Sequence, residues 1–261
     1  MALNHWNRAL ITGASSGIGE EFARRLASEG TDLVLVARTT EKLQALADDL
    51  DVDCEVLPAD LGDREQLLTV EQRLKEEGRP IDLLVNNAGF GVVGDLVVTD
   101  SDTQTNLVMV NVVALQRLAQ AAASAMVERS RGGILNVSSI AGQAPAPGWS
   151  TYAASKAYVT SFSQALHLEL VPHGVLVSAL CPGFTRTDFQ NRANYDPTHL
   201  GPDFLWQNAD AVVEAGLEGL ARNKPVVVPG RHNQIFNAVS SVTPNSVARV
   251  VANAYRRREQ T

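Results

Sequence analysis

Seven short β-branched or aliphatic runs recur along the chain, namely RALIT, DLVLVA, CEVLP, IDLLV, GILNVS, VLVSAL and PVVVP, with longer helix-patterned segments between them. Strands buried on both faces read as continuous apolar runs, and right-handed crossovers between parallel strands place helices on both sides of a sheet. The alternation therefore predicts an α/β, doubly wound fold with a mostly parallel seven-stranded sheet. Hydrophobic residues make up 45% and charged residues 20% of 261 positions, enough for a sizeable core. No low-complexity linker or internal repeat interrupts the pattern, so one domain is expected over residues 1–261. Gly30 and Gly78 read as helix stops, and Asp63 and Thr40 as N-caps.

Two segments depart from the pattern. Residues 183–208 carry Pro197 and Pro202 together with Phe184, Phe189, Tyr195, Phe204 and Trp206. They read as an irregular excursion, either a substrate loop at about 184–208 or an apolar packing segment. From about residue 231 the chain continues as a C-terminal extension.

A net charge of −7 and a pI near 5.3 argue against nucleic-acid and anionic-membrane partners, which require a positive surface. The basic cluster Arg256, Arg257 and Arg258 reads as a solvated helix terminus. Cys54 and Cys181 form no ligand spacing, and the five histidines are scattered, so no metal is expected. His167 and His173 read as packing or surface residues. The start shows no signal pattern, and no apolar run approaches the roughly 18–20 residues of a membrane span. A cytoplasmic protein without a membrane partner is the expectation.

Directly after the first run comes TGASSGIG, in which Gly13, Gly17 and Gly19 lead into the helical pattern EEFARRLASEG. Glycines allow a tight turn and bring backbone N–H groups close to a pyrophosphate at the positive end of the next helix. This is the location of a dinucleotide site in a Rossmann fold, although the spacing is GxxxGxG rather than GxGxxG. An acidic residue at the end of the second run would bind a ribose 2′-hydroxyl; the chain has Ala37 and Arg38 there. Arg38 either offers a forked donor to a 2′-phosphate, favouring NADP over NAD, or pairs with Glu41. Asp60 after the third run either accepts from an adenine amino group or caps the next helix. Asn86 and Asn87 in NNAG either touch the cofactor or brace neighbouring strands.

The fifth run delivers Ser138 and Ser139 to the carboxyl edge, and adjacent strand residues point to opposite faces. Thirteen residues after Ser139 lies Tyr152, in TYAASKAY. On a helix Tyr152 shares a face with Lys156, four residues on, whereas Tyr158 does not. A nearby ammonium lowers a phenol's pKa, so Lys156 is expected to bring Tyr152 towards the working pH.

TGASSGIG, NNAG, Asn111 in MVNVVA, Ser139, Tyr152-x-x-x-Lys156 and PGFTRT occur in this order over residues 8–190. The combination resembles the short-chain dehydrogenase/reductase family, in its short single-domain form. The resemblance implies NADP(H)-dependent hydride transfer between nicotinamide and a carbonyl or secondary alcohol. Tyr152 would then be the proton donor or acceptor, Ser139 the partner of the reacting oxygen, and Lys156 the holder of the nicotinamide ribose. Asn111 would position a water leading to Lys156, or simply be a helix-interior amide bonding to a backbone carbonyl. Cofactor contacts are implied for Gly13, Ser15, Ser16, Gly17, Ile18 and Gly19, then for Arg38, Asp60 and Leu61, and for Asn87, Ala88 and Gly89. Tyr152 and Lys156 belong to the same set, as do Pro182, Gly183, Thr185 and Thr187. Ser138 reads as bonding backbone or lying beside the nicotinamide, and Cys181 as a small apolar residue.

Phe90, Gln143, Trp149 and Phe184, with the rest of the aromatic-rich 184–206 segment, are candidates for an apolar pocket taking a ketone, aldehyde, steroid-like or 3-oxoacyl substrate. A homodimer or homotetramer is implied. The competing reading is a non-catalytic NADP-binding sensor or interaction protein on the same fold; a third, an epimerase or dehydratase of the longer related branch, lacks its extra substrate domain.

Overall fold

The computed structural model describes residues 6–145, 147–189, 193 and 203–235. Seven strands, β1 (Arg8–Thr12), β2 (Asp32–Ala37), β3 (Cys54–Pro58), β4 (Leu83–Asn86), β5 (Gly132–Val137), β6 (Val175–Leu180) and β7 (Val226–Val227), form one sheet. Their order is β3-β2-β1-β4-β5-β6-β7, and every neighbouring pair is parallel. The chain runs outward from β1 in one direction and from β4 in the other. Between these two strands lies the crevice where open parallel sheets bind ligands.

Helices α1 (Gly17–Ser28), α2 (Thr40–Asp48), α3 (Arg64–Leu74), α4 (Ser101–Val108), α5 (Leu115–Glu128), α6 (Ser150–Leu170) and α7 (Ala209–Ala221) cover both faces. The two-residue period of the strands divides the core. Ala9 and Ile11 of β1 share one face with Leu33, Leu35 and Val85 and receive Phe22 and Leu26 of α1 and Val212 and Leu217 of α7. Leu10 points the other way, with Val34, Leu84 and Ile134, against Leu67 and Val70 of α3, Leu118 and Ala122 of α5 and Leu166 of α6. Each fully buried Leu or Phe contributes about 1.5–3 kcal/mol, so the two layers hold the carboxyl edge of the sheet in a fixed frame.

Several boundaries differ from expectation. Thr39, not Thr40, is the N-cap of α2, and it makes no side-chain cap bond. Asp63 does cap α3, accepting from the Glu65 and Gln66 amides. That helix ends at Leu74 rather than near Gly78. The buried Arg73 guanidinium donates to Glu55 at 2.9 Å and to the Arg79 carbonyl at 3.0 Å, folding the chain back over the helix end. Gly30 follows the end of α1 with φ +80°, the left-handed stop that glycine adopts cheaply. β7 pairs only through Val226 and Val227, because Pro225 and Pro229 at the ends of its apolar run have no N–H to offer a ladder.

The continuous helical stretch Ser101–Glu128 is long and apolar enough by length and composition to cross a membrane, and half of its most apolar window is buried inside the protein. Individual apolar residues interrupted by polar ones hid this stretch from a search for unbroken runs. Tyr195, Pro197, Pro202, the extension beyond residue 235 and the Arg256–258 cluster lie outside the described residues.

Candidate active site

The glycine turn after β1 is built by close approach. Gly13 (φ +67°) and Gly17 (φ +59°) occupy the left-handed region, and a Cβ on Gly19 would lie 2.2 Å from the Gly13 carbonyl oxygen and 2.4 Å from Asn87 Nδ2. Asn87 braces this turn: its Nδ2 donates to the Thr12 and Gly13 carbonyls at 3.0 and 3.3 Å. Thr12 Oγ1 accepts from the Asn87 and Ala88 amides, both at 3.0 Å. On the far side, a Cβ at Gly17 would meet Thr187 Cβ at 3.1 Å, so the segment after β6 crosses over the turn.

Ser16 enters α1 with extended backbone and makes no side-chain cap bond, whereas α3 and α4 carry capping Asp63 and Asp100. The start of α1 thus carries no side-chain cap, an arrangement suited to the pyrophosphate of a dinucleotide. Ser15 and Ile18 are half-buried on its wall, while Leu61 is buried in the core. Arg38 is exposed just past β2, and among the described residues neither Glu41 nor any other group pairs with it.

Asp60 does not cap the next helix: its carboxylate accepts from the Gly62 amide at 2.9 Å, while Asp63 caps α3. Asn86 braces its neighbours, donating to the Leu115 carbonyl at 3.2 Å and to Asn136 Oδ1 at 2.9 Å.

Ser138 and Ser139 separate as the strand period requires. The buried Ser138 hydroxyl donates to the Lys156 carbonyl and lies 2.7 Å from Thr160 Oγ1. Ser139 begins a 3₁₀ turn, Ile140–Gln143, accepts from the Ala141 amide at 3.1 Å, and shares a hydrogen bond with the Tyr152 hydroxyl. Lys156, on the same face of α6, donates from Nζ to the Val137 carbonyl at 2.9 Å and lies 5.7 Å from the centre of the Tyr152 ring.

Asn111 sits in a π turn, Met109–Ala114, between α4 and α5, a local widening that is frequent at functional sites. Its amide is fully engaged: Oδ1 accepts from the Phe90 amide at 3.0 Å, and Nδ2 donates to the Phe90 carbonyl at 2.9 Å and to Ser155 Oγ at 3.2 Å. Bonding to a backbone carbonyl, one of the two expected readings, is therefore present. Gly89 lies beside both groups, since a Cβ there would be 3.0 Å from Asn111 Oδ1 and 3.4 Å from Lys156 Nζ.

The expected electrostatics are reversed in this state. Burial pushes the Tyr152 phenol up to about 12, offset only in part by the Ser139 hydrogen bond. Burial also pulls Lys156 down to about 8. The ammonium is itself destabilised and aimed at Val137, so desolvation outweighs its attraction for a phenolate. Cys181 is fully buried, and burial pushes its thiol up, so it behaves as a small packing residue.

The aromatic candidates divide. Trp149 meets Tyr152 edge-on with ring centres 5.4 Å apart. Phe184 instead packs on Trp206 at 5.6 Å. Phe189, within the aromatic segment expected to line the pocket, lies 5.6 Å from the Tyr152 ring. Gly91 was missed altogether; a Cβ there would sit 2.9 Å from both Phe189 and Trp149. No sequence signal marks a glycine crowded by rings that lie far off in sequence. Phe90 is half-buried and held by its backbone, Gln143 closes the 3₁₀ turn, and Pro182, Gly183 and Thr185 form the turn after β6. Tyr158 is outside the site, donating to Gln116 and stacking on Phe162. Among the described residues no group of three His, Cys, Asp or Glu side chains is arranged to hold a metal.

Residues 7–198 match the family model described as short chain dehydrogenase. The solved structure of a short-chain dehydrogenase from Sphingobium yanoikuyae in complex with NADPH is 40% identical, with a TM-score of 0.81 over 91% of this chain and 96% of that one. Nodulation protein G of Rhizobium sp. (strain N33) is 36% identical over 72% of this chain and 76% of its own length. The very-long-chain 3-oxoacyl-CoA reductase of Anas platyrhynchos is 36% identical over 69% of this chain and 60% of its own length.

Proposed function

This chain belongs to the short-chain dehydrogenase family, and from that premise we propose that it is an NADP(H)-dependent oxidoreductase that reduces an apolar carbonyl compound, with Tyr152 as proton donor. The observation that carries the reading is the convergence of Ser139, Tyr152 and Lys156 at the carboxyl edge, beside a glycine cradle shaped for a dinucleotide. A bound nicotinamide supplies the hydride.

The protein's part follows from its own groups. A carbonyl oxygen seated between the Ser139 and Tyr152 hydroxyls is polarised by two donors, which stabilises the charge that develops on it. Tyr152, at about 12, is protonated at neutral pH, and an alkoxide is far more basic than a phenolate, so the proton moves downhill from Tyr152. The protonated phenol is the form that a reductive step requires. Gly13, Ser15, Ser16, Gly17, Ile18 and Gly19 would hold the pyrophosphate, Lys156 the ribose, and the Pro182–Thr187 segment the nicotinamide end. In this reading Arg38 takes the 2′-phosphate. Arg38→Asp is expected to weaken NADPH binding by about 10–100-fold, the loss of a charge-assisted bond, and to narrow the gap to NADH. An unchanged NADPH dissociation constant would remove the 2′-phosphate assignment.

Trp149 and Phe189 beside Tyr152 support a bulky apolar group next to the reacting carbonyl, and a relative named for 3-oxoacyl-CoA reduction keeps acyl thioesters in the class. Gly91→Ala meets only the tips of two rings, so stability should fall by no more than about 1 kcal/mol. Its effect should appear as a larger KM increase for bulky ketones than for small ones; equal increases would argue against an aromatic seat. A cytoplasmic location and a homodimer or homotetramer belong to the same proposal.

The direct test is NADPH oxidation against ketones, aldehydes and acyl thioesters. Turnover on at least one apolar carbonyl is expected. Tight NADPH binding without turnover on any of them would favour a non-catalytic sensor.

A further inference from the structure

Beyond β7 the chain turns at Gly230, with φ +82°, and Asn233 reaches back beneath the excursion that follows β6. Asn233 is buried, at 4% exposure. Its Nδ2 donates to the Pro229 carbonyl at 2.8 Å and to Gln207 Oε1 at 2.9 Å. Gly183 lies directly against the same amide: a Cβ there would be 2.4 Å from both Nδ2 and Oδ1.

Gln207 is the point at which the excursion returns. Its amide donates to the Phe184 carbonyl and its carbonyl accepts from the Arg186 amide, both at 2.9 Å, with a parallel bridge between Thr185 and Gln207. Arg186 adds a bond to Asp203 at 2.7 Å. Residues 183–187 and 203–207 thus form a closed neck. Its outgoing side carries Thr187 onto Gly17 and leads to Phe189 against Tyr152. A buried carboxamide costs free energy unless its partners are fixed, so Asn233 and the neck hold one another in a single arrangement.

We infer that Asn233 is a positioning residue: through Gln207 it sets the neck of the excursion, and through Gly183 it sets the turn at the nicotinamide end of the cradle. The segment after β7 is thereby coupled to both halves of the site. The substrate half of this inference rests on the reductase reading; the cofactor half does not.

Asn233→Ala, Gln207→Ala and the double variant separate the two halves, with thermal unfolding run on each to establish that it is folded. Asn233→Ala is expected to weaken NADPH binding by about threefold or more in a fluorescence titration, while Gln207→Ala leaves it nearly unchanged. On a reducible ketone each single variant should raise KM by about tenfold with kcat kept within about threefold. The double variant should stay within about twofold of the larger single effect, since both act on one contact. A folded Asn233→Ala with unaltered NADPH affinity, or KM effects that multiply independently, would overturn the inference. If the wild type reduces no carbonyl, the reductase reading fails alone and the NADPH titration still decides the role of Asn233. Should Asn233→Ala not fold, Gln207→Ala carries the test: a raised KM with unchanged NADPH affinity supports the neck, and an unchanged KM overturns it.

Discussion

Tyr152→Phe is expected to lower carbonyl turnover by at least about 10²-fold while NADPH affinity changes little, the signature of a lost general acid. The substitution removes one hydroxyl from a ring that is 8% exposed, and the ring itself keeps its contacts with Trp149 and Phe189. The hydroxyl's partner, Ser139, retains the Ala141 amide. Little stability should therefore be lost, and kcat and kcat/KM should fall together, because the removed interaction matters only as charge develops on the oxygen. A Phe variant with more than a tenth of wild-type turnover would assign the proton to another group.

Lys156→Met should abolish efficient turnover and at the same time stabilise the unliganded protein. Burial pulls Lys156 from 10.5 down to about 8, so holding it as an ammonium at pH 7 costs about 3 kcal/mol. Removing the amine relieves that cost but leaves the Val137 carbonyl without this donor, which returns roughly 1 kcal/mol. A net gain of about 1–2 kcal/mol at pH 7 is expected. The sign with pH follows from proton linkage. Between pH 8 and 10.5 the unfolded chain binds more protons at this site than the folded one, so wild-type stability attributable to Lys156 rises across that window. The advantage of Lys156→Met over wild type should accordingly shrink between pH 7 and pH 9.5 in denaturant unfolding. A variant less stable than wild type at pH 7 would mean that the ammonium is not penalised by its surroundings.

The central strands were legible because burial on both faces makes them largely apolar runs, whereas β3 at the sheet edge is only half-buried; the carboxyl-edge residues followed from the strand ends. Local chemistry also read correctly at Asp63 and Gly30, where the residue that stops or starts a helix is itself the signal. What escaped depends on distant contacts. Nothing in REQLLTVEQRLKEE announces that Arg73 will bond Glu55 and Arg79, so the early end of α3 was hidden. Asn111, within the π turn, pairs its amide with Phe90, twenty-one residues away, a contact with no local signal. The spacing of Tyr152 and Lys156 gave their shared face, but not the balance between attraction and desolvation. That balance follows from burial, which the fold supplies in part by packing Trp149 and Phe189 on the Tyr152 ring. Asn233 escaped for the same reason, since a single asparagine after a strand carries no local sign of what it will hold.

The central claim is hydride transfer from nicotinamide to a carbonyl carbon, with the proton supplied by Tyr152. It is tested most directly by incubating the wild type and Tyr152→Phe with an apolar ketone and NADPH deuterated at the transferred position, then analysing the alcohol by mass spectrometry. One deuterium is expected on the carbinol carbon with the wild type, and at least about a hundredfold less labelled product with the variant in the same time. Unlabelled alcohol, or equal labelled product from both proteins, would contradict it.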